Sequence, residues 1–337
     1  LHYPLAPAAL PEAYAELLET LNDVPTRSVV RREDGQMVRE KKPVYELVVA
    51  NALWPQEGYP FRDAYVRTVE EQFDAMLRHV DFKLPDQATA TINEWVAEKT
   101  REKIQDLVPP SALRGPIRLV LTNAVYFKSN WAETFSKRAT KDAPFHVSPD
   151  RTVDVAMMHQ EDRFGYGETD QVQLLRLPYK GHALSMLVVL PKKRDGLADV
   201  EKKLSTETFQ AWRQALQRAK VKVWLPKWEF SDRCSLSRLL KKMGMPLAFD
   251  PERADFSGMT TAERLFISSI LHKAYVAVDE EGTEAAAATA VMMLGAAMPE
   301  PEEPRVFRAD HPFLFAITHK ETGEILFLGR VADPTKQ

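Results

Sequence analysis

Cysteine is almost missing from this chain. Cys234 is its single example, so no disulfide can form within it. A lone thiol needs a partner base to act as a nucleophile. Its context, FSDRCSLSRLL, reads as the start of an amphipathic helix holding a small, half-buried side chain. No apolar run approaches the roughly 18–20 residues of a membrane helix. Neither sign of charge dominates, because 45 Lys and Arg stand against 48 Asp and Glu for a net −3. That balance disfavours nucleic acid and anionic membranes as partners. Glycine is scarce, 13 against 23 prolines in 337 residues, which suits tightened loops. Catalytic signatures are absent too: there is no G-x-S-x-G elbow, H-E-x-x-H, P-loop or G-x-G-x-x-G. The eight histidines show no metal-site spacing, and Glu70–Glu71 and Glu302–Glu303 sit in solvated, charged contexts. No metal or cofactor is expected, and the expectation of an enzyme falls. The chain opens on Leu1 rather than Met, in mid-pattern, and reads as a fragment or processed form.

What is present is a mixed alternation of helices and strands. Leu10, Tyr14, Leu17, Leu18 and Leu21 predict a helix over Leu10–Asn22. Arg27–Lys42 is charged and reads as a solvated turn or hairpin. Val44–Pro55 predicts a buried strand, Phe61–His79 a second helix and Val80–Phe82 a short strand. A third helix is expected over Ala88–Leu107, with Ile92, Trp95, Val96, Ile104 and Leu107 on one face and Pro109 and Pro110 ending it. The run from Ile117 reads as a long strand buried on both faces. Further strands are expected at Val153–Met158, Gln173–Leu177, Leu184–Leu190, Val221–Pro226, Leu271–Val278, Phe313–His319 and Ile325–Arg330, with helices at Leu204–Ala219 and Leu236–Met243. Strands cluster rather than alternate strictly with helices, so the fold class is α+β. No repeat and no domain boundary is visible.

The unusual stretch is Asp279–Phe307, DEEGTEAAAATAVMMLGAAMPEPEEPRVF. Acidic residues lead into Gly282, which is free to act as a hinge. From Thr283 to Met298 the only charge is Glu284, and Pro299–Pro304 closes the stretch in an extended, solvated form. Three readings stand together. Alanine favours a plain helix; the stretch also suits a surface linker. The third is a strand: Thr283, Ala285, Ala287, Thr289 and Val291 fall on one face at period two, all small or β-branched. Such a strip slides between two existing strands without clashes.

At this point the chain resembles the serpin family. The hinge Glu280–Ala290 (EEGTEAAAATA) and the C-terminal Ala309–Pro334 (ADHPFLFAITHKETGEILFLGRVADP) carry the resemblance. So do Ile92–Ile104, Thr122–Phe135, Leu225–Phe230, Asp255–Thr260 and Ile270–Ala286, in the family's order and over nearly the whole chain from Leu10. The resemblance implies one α+β domain over residues 1–337, with a large central, mostly antiparallel sheet, two smaller sheets and surrounding helices. It implies a reactive-centre loop over Asp279–Pro304, whose hinge is Glu280, Glu281, Gly282, Thr283, Glu284, Ala285, Ala286, Ala287, Ala288 and Thr289. Asn123 and His272 match the shutter pair, and Trp131, Lys227 and Glu280 the breach where the loop enters. Ser129 departs from the family's glycine after Phe-Lys, at an expected turn. The implied function is suicide inhibition of serine proteases by a monomer, without catalysis of its own. A non-inhibitory carrier, chaperone or storage protein is the alternative. The family's spacing from Gly282 places the scissile bond at Ala296–Ala297, with Leu294 and Met293 as runners-up. Small or apolar residues there suit elastase-like, subtilisin-like or chymotrypsin-like proteases. The absence of Arg and Lys between Glu284 and Met298 disfavours trypsin-like ones. The family also carries helices and a strand ahead of Leu10, one helix touching the shutter, so the chain is expected to be N-terminally incomplete.

Overall fold

A computed structural model describes residues 5–33, 36–73, 76–115, 117–260, 262, 264–283 and 303–336. In chain order the elements begin with α1 (Leu10–Asn22), the hairpin β1 (Thr26–Glu33) and β2 (Gln36–Pro43), β3 (Tyr45–Pro55), α2 (Asp63–Phe73) and β4 (Met76–Leu77). Next come α3 (Pro85–Lys99), β5 (Leu119–Asn130), β6 (Lys141–Ser148), β7 (Arg151–Glu168), β8 (Val172–Pro178) and β9 (Leu184–Pro191). Then follow α4 (Leu197–Lys202), α5 (Thr206–Gln214), β10 (Gln217–Pro226), β11 (Trp228–Ser235) and α6 (Ser237–Lys242). The series ends with β12 (Ser269–Val278), β13 (Gly282–Thr283), β14 (Arg305–Arg308), β15 (Phe313–His319) and β16 (Ile325–Val331).

The chain forms two compact units, each assembled from three separate stretches. One takes the residues up to Val24, Glu46–Phe127 and Ser231–Tyr275; the other takes Pro25–Tyr45, Lys128–Phe230 and the residues from Val276 onward. Because neither unit is a continuous segment, no composition shift marks a boundary in the sequence.

In the first unit, β5 and β12 pair in parallel from Ser269↔Val120 to Tyr275↔Tyr126. On the far side β5 neighbours β3, and β3 pairs in parallel with β4. Trp54 of β3 is fully buried, donates its indole N–H to Thr122 Oγ1 of β5 at 2.8 Å, and meets Trp95 of α3 edge-on at 5.5 Å. No residue of β5 is exposed, but only alternate positions over most of its length are fully buried, so one face is deep and the other half-covered rather than both being sealed.

Several boundaries differ from expectation for local reasons. Helix α3 starts three residues before Ala88 and stops at Lys99, not Leu107. Thr100 Oγ1 donates to Val96 O (2.8 Å) and accepts from Ile104 N–H (3.1 Å), diverting groups that a continuing helix would use. Arg101 and Glu102 then adopt positive φ (53° and 62°). The Asn93 side chain binds both N–H and C=O of Val108, which holds Ile104 and Leu107 in the core without a helix. The helix expected over Phe61–His79 spans Asp63–Phe73, because Met76 and Leu77 join β3 as an edge strand. Val80 contributes one bridge to Gln56 instead of a strand. In place of a helix over Leu204–Ala219, Ser205 caps α5 by accepting from Thr208 N–H, and β10 begins at Gln217. Cys234 lies in β11 rather than at a helix start. Burial first, then the Asp232 charge, raises its thiol pKa, which makes it a poor nucleophile.

The second unit is built on a sheet of order β14-β10-β7-β8-β9-β15-β16, with β6 paired to β7. Helices α4 and α5 cover one face of it. Leu197, Val200, Phe209 and Trp212 pack there on Val172, Leu174, Leu187, Val189, Leu314 and Ala316. All seven residues of β15 are buried, and Trp228 packs against Phe313 and Phe315. β1 and β2 form a hairpin paired from Thr26↔Pro43 to Glu33↔Gln36.

Candidate functional site

In the first unit, Asn123 and His272 are directly opposed in the β5–β12 ladder. Asn123 Nδ2 donates to Asn51 Oδ1 of β3 at 2.6 Å, so Asn123 Oδ1 is left to accept from His272 Nδ1–H at 2.5 Å. That geometry fixes the histidine tautomer and links three strands by one polar line. Burial lowers the His272 pKa, against an opposing pull from the Asp232 carboxylate. The imidazole is therefore neutral near pH 7. The sequence reading missed Asn51; its signal is that it interrupts the apolar run Leu47–Leu53.

In the second unit, Lys227 pairs with Glu280, and Trp131 bonds the backbone of the residues on either side of it. Trp131 Nε1 donates to Asp279 O at 2.9 Å and its backbone N–H to Glu281 O at 2.8 Å. Glu280 is 4% exposed. One of its oxygens meets Lys227 Nζ at 2.9 Å, the other accepts from Thr140 Oγ1 at 2.8 Å, and its C=O accepts from Phe135 N–H. Burial alone would raise the Glu280 carboxyl. The Lys227 ammonium, its own backbone amide and the Thr140 hydroxyl outweigh that and hold it below the usual carboxylate range. Glu281 pairs with Lys137 at 2.6 Å. Trp131 stacks on Tyr179 with centroids 4.6 Å apart, and Tyr179 OH lies 2.7 Å from Thr283 Oγ1. Sequence reasoning missed Thr140, Lys137 and Tyr179, since nothing local marks them as neighbours of residues more than a hundred positions away.

Gly282 and Thr283 form β13, a two-residue strand with a partner on each side. Thr283 pairs with Val278 of β12; Gly282 and Thr283 pair with Asn130 and Ser129 of β5; both pairings are antiparallel. Thr283 is fully buried. Gly282 is required by close approach: an added Cβ would overlap Ser129 O and lie 2.6 Å from Asn130 Cα. Ser129 sits in an unbroken strand, not a turn, and is buried. Of the expected hinge, Glu280, Glu281, Gly282 and Thr283 are described. Glu284, Ala285, Ala286, Ala287, Ala288 and Thr289 lie outside the described residues, as do Met293, Leu294, Ala296 and Ala297. Among the described residues no helix is long and apolar enough to cross a membrane, and no group of His, Cys, Asp and Glu could hold a metal ion.

Thr283, buried between two strand partners, is thus flanked by Glu280, held by Lys227 and Thr140, and by Trp131, bonded to the backbone of Asp279 and Glu281, an arrangement within the second unit. Comparison with known proteins places it. The serpin (serine protease inhibitor) family model matches residues 1–334, so the chain belongs to the serpin family. An uncharacterized serpin-like protein of Thermococcus kodakarensis is 45% identical over 285 residues, which is 84% of this chain and 66% of that protein. The chain thus spans just under two thirds of that relative's length. The leukocyte elastase inhibitor of Equus caballus is 38% identical over 326 residues, 94% of this chain and 84% of that protein. Among solved structures, a highly specific serpin of the insect Tenebrio molitor superposes with a TM-score of 0.81 at 32% identity, covering 98% of this chain and 83% of its own.

Proposed function

We propose that this chain is a suicide-substrate inhibitor of serine proteases whose reactive-centre loop spans Asp279–Pro304. The observation that carries the reading is β13, a strand already seated between β12 and β5 and antiparallel to both. The same two strands pair directly with each other over Ser269–Tyr275 and Val120–Tyr126. A strand continuing from Thr283 has a slot to enter once those pairs separate, and the Asn123–His272 bond lies in the middle of them.

The protease's serine Oγ attacks the carbonyl carbon of Ala296. The Ala296–Ala297 C–N bond breaks, the new amine of Ala297 leaves with the proton passed on by the protease's histidine, and an ester links the two proteins. The freed segment from Thr283 then inserts, gaining hydrogen bonds on both edges. About 14 residues at roughly 3.3 Å each make a strand some 45 Å long. At about 0.5–1.5 kcal/mol per hydrogen bond, the gross gain is on the order of 10–30 kcal/mol, against the roughly 5–15 kcal/mol that holds a protease together. The ester's hydrolysis stalls as the protease distorts. Leu294 and Met293 are the alternative sites of attack, and elastase-like, subtilisin-like or chymotrypsin-like proteases the targets. The small residues Ala285–Ala288 and Thr289 favour this over a carrier or storage role, which does not require a passable hinge.

The test is a denaturing gel after brief incubation with pancreatic elastase and, separately, subtilisin. A band at the summed mass that survives boiling in detergent is expected. Clean cleavage between Met293 and Ala297 without that band would overturn inhibition in favour of a substrate-like, non-inhibitory member.

A further inference from the structure

We propose that the second unit carries a binding site for a tetrahedral oxyanion, a phosphate or sulfate group, in a cleft across β10, β7 and β8. The register places Arg218 of β10, Gly165 of β7 and Arg176 of β8 in one cross-strand row. Both arginines are exposed and project from the same face of the sheet, two strand spacings (about 10 Å) apart. Gly165 between them has no side chain to separate them. A Cβ there would lie 3.0 Å from Arg176 Nε and 3.2 Å from Arg176 Cβ, so Arg176 crosses the space that any other residue would fill.

The cleft holds about 300 Å³ and is lined by Arg163, Arg176, Arg218 and Lys320, with Glu133 and Asp162 as its carboxylates. Asp162 Oδ1 accepts from the backbone N–H of Arg163. Cations therefore outnumber carboxylates two to one in a concave site of a chain whose net charge is −3. Like charges gathered on one sheet face oppose folding, and a bound dianion removes that opposition. Guanidinium groups match the paired oxygens of phosphate and sulfate. The volume is at the small end of ligand sites, sized for one anionic group of a small molecule. The site is independent of the reactive-loop reading.

The test is titration of the full chain with inorganic pyrophosphate and, separately, sulfate, each at matched ionic strength in chloride, read by calorimetry and by thermal unfolding. Saturable binding with a rising unfolding temperature is expected for at least one of the two, and which one binds identifies the source of the group. Arg176→Gln and Arg218→Gln each raise the Kd about tenfold or more, the loss of one charge-assisted hydrogen bond. Lys222→Gln, farther along β10, leaves it unchanged. No saturable binding of either anion, or equal weakening by Lys222→Gln, would overturn the proposal. The elastase gel with the same variants keeps its result separate from that of the inhibitory mechanism.

Discussion

His272 and Asn123 tie β12 to β5 through one side-chain hydrogen bond. Replacing Asn123 by alanine leaves Asn51 Oδ1 and His272 Nδ1–H without the partner each has now. The expected cost is about 1–3 kcal/mol, read as a lower urea midpoint with an unchanged slope. pH acts on the same residue. Burial sets the folded-state pKa of His272 below its ordinary value of about 6.5. As pH falls below about 6.5 the unfolded chain takes up the proton first. Stability present above that pH is then lost progressively until the folded-state pKa is passed. Unfolding midpoints between pH 8 and 5 should fall more steeply for the native chain than for His272→Gln. Parallel curves would remove His272 as the source.

At the scale of the element, the proposed mechanism turns on β13. Gly282→Val places a side chain into the β5 backbone. It should cost about 1–3 kcal/mol, as overpacking does, and shift the outcome of protease encounter from trapped complex toward released, cleaved chain. The partition is measured as complexes formed per chain cleaved, and an unchanged ratio would show that the seat of β13 does not matter.

The same element shows how far the sequence was legible. Period-two spacing from Thr283 suggested a strand beside two other readings, and the pairing of Thr283 with Ser129 and Val278 bears out its first residue. Helix α1 followed from its spacing, and the strands β3, β8, β9, β15 and β16 from their apolar, β-branched runs. Strands β6, β11 and β14 did not: each borders only one neighbour in its sheet, and the proline and charged residues that discourage further pairing at such an edge, Pro144 in β6 and Asp232 and Arg233 in β11, read as loop. Helix α3 ran too far in the sequence reading because Thr100 ends it by a side-chain hydrogen bond, which apolar spacing cannot signal. Of the site, the family motifs reached Asn123, His272, Trp131, Lys227 and Glu280. Asn51, Thr140 and Tyr179 emerged only from contacts across 72 to 140 residues of chain.

For the molecule as a whole, the proposed mechanism makes the uncut chain a kinetic trap. Cutting the reactive loop without a trapped protease should therefore raise the unfolding temperature, the reverse of what a broken chain ordinarily does. Calorimetry of cut and uncut chain decides it: a cut form that melts with or below the uncut one would mean that the loop does not insert.

The discontinuous make-up of the two units bears on how the protein is made. Asn123 leaves the ribosome 149 residues ahead of His272, its partner on β12. At about 5–20 residues per second that is roughly 7–30 s of synthesis. Throughout it, β5 offers a bare, apolar edge that other strands can bind. The neighbour that covers this edge late in translation, β12, is also the one that the proposed insertion would part from β5, so protecting the nascent chain and arming the finished one would be problems posed at the same edge of the same strand.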